Sequence, residues 1–148
     1  MLSIPVRELI PVLQVAIGPV ILISGVGLLL LTLSNRFGRA VDRSRQLGRE
    51  MREVSNEDRP RLAAQVDILY RRSRVIRLAI IFAALSVLLA SVLIIVLFLS
   101  VLAHFEAGVV IALLSIFCLG SLIGSMAAFI RDIQFFLQAL KLELGREA

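Results

Sequence analysis

RFGRAVDRSRQLGREMREVSNEDRPRLAAQVDILYRRSRVIR, residues 36–77, holds twelve arginines and no lysine. The chain on either side has the opposite character: residues 9–33 and 78–103 contain no ionisable side chain. A third uncharged run, residues 107–130, follows the second after only His104, Phe105 and Glu106. Each run exceeds the roughly 20 apolar residues that span a hydrocarbon core of about 30 Å. The expected fold is an all-α membrane protein with three transmembrane helices, spanning about residues 9–33, 78–103 and 107–130.

The arginine block also sets an orientation. Lysine and arginine in short loops mark the cytoplasmic side, and the rule holds for loops under about 60 residues. Residues 36–77 carry twelve arginines against six acids, whereas the opposite side offers only Arg7 with Glu8, then His104 and Glu106. The N-terminus is expected outside and the C-terminus inside, and Arg131, Lys141 and Arg146 agree with this. The net charge of +5 and pI near 10.9 therefore need no nucleic acid to explain them. Met1 to Glu8 carries one charge of each sign, and the following run is longer than a secretory h-region, so a retained first span is expected.

All 148 residues read as one membrane domain, with a cytoplasmic antiparallel helical hairpin at 36–77 and a cytoplasmic tail at 131–148. In the first arm Phe37, Ala40/Val41, Ser44, Leu47, Met51 and Val54 recur at the 3–4 spacing of a helix seam. In the second, Leu62, Val66, Leu69, Ser73, Ile76 and Ile80 repeat it. Ser55 to Pro60 separates them, with Ser55 and Asp58 suited to a helix start and Pro60 to a first turn. Pairing about Asn56 places Asp42 near Arg71 or Arg72. Gly38 is a candidate hinge at the bilayer surface.

Charge along this hairpin is graded. Arg36, Arg39, Arg43 and Arg45 lie at the membrane end of one arm and Arg71, Arg72, Arg74 and Arg77 at that of the other, while Glu50, Glu53, Glu57 and Asp58 gather at the tip. Two roles are open to these arginines. They fix topology and snorkel, or they form a contact for anionic lipid or a cytoplasmic protein partner. The candidate contact residues are Asn35, Arg36, Arg39, Asp42 and Arg43 with Arg71, Arg72, Arg74 and Arg77.

Within the spans, small residues recur on single faces. Gln14, Gly18, Ile21, Gly25, Leu28 and Thr32 share a face of the first, which also contains Pro11 and Pro19. Ala79, Ala83, Ser86 and Ala90 form a stripe in the second; Gly120, Gly124 and Ala128 lie at four-residue spacing in the third, beside Ser121 and Ser125. Small residues let lipid-embedded backbones approach closely. Intramolecular packing is the first reading of these stripes, contact between copies the second, and a pore lined by Gln14, Gly18, Gly25 and Thr32 the third.

The stretch Gly18-Pro-Val-Ile-Leu-Ile-Ser-Gly-Val-Gly-Leu-Leu-Leu-Leu-Thr-Leu-Ser-Asn-Arg36, followed by Arg39 and Asp42-Arg43, resembles the start of a bacterial family of small three-helix membrane proteins, the domain-of-unknown-function 2721 family. The resemblance extends over residues 11–140. It implies a bacterial source and an inner-membrane location, and it brings no catalytic residues with it.

Catalytic chemistry is not expected. One cysteine and one histidine exclude a disulfide framework and the usual zinc spacings. No nucleotide-binding glycine motif occurs, and the serines in the spans have no base beside them in sequence. The expectation is a non-enzymatic protein without cofactors; the rival is a small homo-oligomeric channel or transport component with the first span lining the pore.

Overall fold

The computed structural model describes residues 6–53, 59–103 and 106–144. Three long helices make up this part of the chain: α1 (Val6–Glu53), α2 (Arg59–Leu102) and α3 (Gly108–Leu144). Each is long and apolar enough to cross a membrane, with windows reaching mean hydropathies of 2.4, 3.1 and 2.4. Helix α1 continues without interruption through Pro11, Pro19 and Gly38. Pro60 falls in the first turn of α2, where its missing N–H removes no intrahelical bond. The turn expected around Asn56 and the residue His104, expected on the outer side, lie outside the described residues.

The chain divides into two compact units, Met1–Leu30 with Phe82–Gly124, and Leu31–Ile81 with Ser125–Ala148. In the first unit Val12, Leu93 and Leu97 form a buried cluster, packed by Val101, Ile111 and Leu114. Ala83, Ser86 and Ala90 of α2 are completely buried, as the small stripe in the sequence led us to expect. The Ser86 Oγ lies 3.5 Å from the Cys118 Sγ, and Cys118 donates to the Ser86 carbonyl at 3.3 Å. Gly124 faces Phe82, whose ring lies 3.5 Å from where a Cβ would stand. Ser24, Ser91 and Ser115 donate to carbonyls of their own helix, so their hydroxyls need no other partner in hydrocarbon.

The second unit contains the charged part of the chain. Ala40 and Leu47 of α1 and Ile76 and Ala79 of α2 are buried; Phe37, Ser44, Leu62, Val66 and Leu69 are half-buried. Every seam position with a described side chain is buried or half-buried, and α3 also belongs to this unit. Helix α3 does not end with its apolar run at Ile130 but continues to Leu144, so the expected tail is helical through that residue. It joins the unit along buried Ser125, Ala128 and Asp132, and the Ser125 hydroxyl donates to the Ala79 carbonyl at 2.9 Å.

Candidate functional site

Hydrophobic periodicity brings three charges into one place. On α1 the seam steps from Leu33 over Arg36 to Ala40, and on α2 from Leu69 over Arg72 to Ile76. On α3, Cys118, Ser121, Ser125, Ala128 and Asp132 follow one another at alternating spacings of three and four, and all are buried. The last position of that heptad stripe is an acid. Its side chain has 0% exposure, and each carboxylate oxygen receives one arginine. Arg36 donates through Nη1 to Oδ2 at 2.9 Å, and Arg72 through Nε to Oδ1 at 2.9 Å. The Arg36 guanidinium also sits 5.2 Å from the Phe129 ring centroid, within cation–π range. An isolated charge at this depth would be costly, and the node satisfies it through two charge-assisted bonds.

Arg36 and Arg72 of the node also line a cleft of about 320 Å³, together with Arg39, Ala40 and Arg43 of α1 and Leu69 of α2. Arg39 and Arg43 are exposed and have no acidic partner among the described residues. Four of the six described lining residues are arginines, two of them paired with Asp132. The cleft is suited to holding an anion. Among the described residues no group of three or more histidine, cysteine, aspartate or glutamate side chains could hold a metal ion.

The remaining candidate residues are placed differently. Arg71 pairs with Asp67 one turn back on its own helix at 3.2 Å, and Arg72 is committed to Asp132. The ion pair expected between Asp42 and one of these arginines is thereby corrected: Asp42 is exposed, and α3 supplies the acid. Asn35 is exposed. Arg74 and Arg77 border a second, shallower cleft of about 400 Å³ with Val75, Leu78 and Ile81. Gln14, Gly18, Gly25 and Thr32 of α1 are all exposed, and Gly120 of α3 is exposed with nothing within 4 Å of its would-be Cβ. Of the stripe expected at Gly120, Gly124 and Ala128, only the last two face their own chain. Sequence reasoning missed Asp132, because attention to hydropathy stopped at Ile130.

Three apolar helices, joined at the end of their apolar runs by a buried ion triad, define a multi-pass α-helical membrane protein. The chain belongs to the family described as protein of unknown function (DUF2721), which it matches over residues 16–142. No curated protein and no solved structure matches it.

Proposed function

We propose that this is a non-enzymatic protein of the bacterial inner membrane whose arginine-rich helical surface, on the cytoplasmic side, engages anionic lipid headgroups. The observation that carries the reading is the cleft beside the Asp132 node, where Arg39 and Arg43 have no acidic partner among the described residues. Arg45, Arg71, Arg74 and Arg77 are also exposed. Cationic side chains near an anionic leaflet gain about 1 kcal/mol each.

The full chain in mild detergent should bind phosphatidylglycerol in preference to phosphatidylcholine in native mass spectrometry. Each exposed arginine changed to glutamine should weaken that binding roughly fivefold. Equal binding of the two lipids would remove the proposal. The orientation has its own test: a reporter fused after Ala148 should be active only on the cytoplasmic side, and a periplasmic reading would reverse the assignment of every loop.

A second reading, self-association, is favoured by one observation. Gln14, Gly18 and Gly25, the small and polar positions of the first span, face away from their own chain. A second copy packed against that face would put its small residues to use, and a ring of copies about it would form the channel considered above.

A further inference from the structure

We infer that the cleft bounded by Arg36, Arg39, Arg43 and Arg72 is a site for one phosphomonoester headgroup of a membrane lipid, with Asp132 as the residue that orients it. This rests on the reading that the arginine surface meets anionic lipid, and it makes that contact specific.

Position comes first. At about 1.5 Å of rise per residue, Arg36 and Arg39 stand about 4.5 and 9 Å beyond Leu33, the end of the apolar run of α1. Arg72 stands about 9 Å before Leu78, where the run of α2 begins. The headgroup region on each side of the hydrocarbon is several ångströms thick, since a bilayer is about 40–45 Å across with a core of about 30 Å. Arg36 therefore stands within the headgroup layer, Arg39 and Arg72 just beyond its outer edge and Arg43, about 15 Å past Leu33, farther out, at positions from which long arginine stems can reach back toward the phosphates.

Construction is the second point. An arginine on a flexible stem loses side-chain entropy when it binds a phosphate, and one already held in place loses less. Arg36 and Arg72 are held, because each spends one nitrogen on a different oxygen of the same buried carboxylate. Arg36 is further fixed over the Phe129 ring. Both remain partly exposed, at 29% and 26% of their side chains, and both line the cleft. Asp132 thus sets the geometry of two guanidinium groups while Arg39 and Arg43 bring uncompensated charge. Among the described residues four arginines line the cleft, and Asp132 is the carboxylate paired with two of them. A phosphomonoester, at about −1.5 to −2 near neutral pH, matches that surplus better than a phosphodiester of single charge. At about 320 Å³ the cleft is at the small end of ligand pockets, which run from roughly 300 to 1,000 Å³, so a compact headgroup suits it.

The test uses the full chain in nanodiscs or mild detergent, probed with phosphatidic acid, phosphatidylglycerol, phosphatidylcholine and inorganic phosphate. The native protein should bind phosphatidic acid at least tenfold more tightly than phosphatidylglycerol, and millimolar inorganic phosphate should not displace it. Arg39→Gln with Arg43→Gln, both exposed, should abolish that preference without altering thermal stability. Asp132→Asn separates orientation from charge. Removing a negative charge should strengthen anion binding if net charge alone matters; an orienting role predicts a loss of phosphatidic acid selectivity, partly restored by Asp132→Glu. If Asp132→Asn does not fold, the Arg39/Arg43 pair still decides. Equal affinity for both anionic lipids, or an unchanged preference in the Arg39/Arg43 variant, overturns the site. Displacement by inorganic phosphate overturns the lipid as its source, and tighter selective binding by Asp132→Asn overturns the role of Asp132. Phosphatidylglycerol preferred over phosphatidylcholine with no further preference for phosphatidic acid would sink only this inference. No preference for either anionic lipid over phosphatidylcholine would sink the broader reading with it.

Discussion

Asp132→Ala is expected to destabilise the fold by about 3–5 kcal/mol, because removing one partner of a buried ion pair leaves the remaining charges without compensation. The loss here concerns two cations rather than one. Arg36 and Arg72 both point into the seam, and without the carboxylate they repel one another across the space it vacates. Their partial exposure gives them an escape toward water, which favours the lower end of the range. In detergent, the midpoint of thermal unfolding should fall on the order of 10 °C, taking about 2–4 °C per kcal/mol for a chain of this size. A triple variant provides the contrast. Arg36→Met, Arg72→Met and Asp132→Leu together remove every charge of the node while retaining volume, and stability should return to within about 1 kcal/mol of the native chain or exceed it. If Asp132→Ala moves the midpoint by less than 2 °C, the carboxylate is not the connection between α3 and the other two helices that its geometry suggests.

That triad shows where the sequence was legible and where it was not. Three uncharged runs determine three spanning helices, because a bilayer accepts little else of that length and polarity. The helical character of residues 36–53 and 59–77 was also legible, since a 3–4 repeat of apolar residues in a charged segment is the spacing of a helix face. Asp132 stood in the sequence as one ion beside Arg131, just past an apolar run, and looked like the start of a tail. Its role depends on the face it occupies. Extending the heptad of Cys118, Ser121, Ser125 and Ala128 by four residues lands on it, so the signal was present but lay across the boundary that hydropathy drew. Asp42, with arginines on its own arm and across the turn, was the more conspicuous acid, yet it points outward. Facing is also what the small residues failed to disclose. Ala83 and Gly25 are both small, and composition cannot say which of them touches its own chain.

Overpacking separates those two kinds of small residue. Ala83→Leu and Ala90→Leu place branched side chains where α2 has no exposed surface at all, and each should destabilise by about 1–3 kcal/mol. Seven residues, or about 10.5 Å of helix, separate the two sites, so the losses in the double variant should nearly add. The thermal midpoint in detergent would then drop by as much as for Asp132→Ala, through sterics instead of charge. Gly120→Leu and Gly25→Leu are the counterparts, since both glycines have open space around them. Within one copy these changes relieve a glycine in a helix interior, worth up to about 1 kcal/mol, and should leave the midpoint unchanged or slightly raised. Their native mass carries the remaining information. If Gly25→Leu keeps the midpoint but converts an oligomer to monomers, the outward face of α1 joins copies of the chain. If it keeps both, that face does not join copies of the chain, and ion flux from liposomes decides between lipid contact and a pore lined by Gln14, Gly18, Gly25 and Thr32. A Gly25→Leu variant as unstable as Ala83→Leu would instead mean that α1 is rotated in the membrane, with its small face turned toward its own chain.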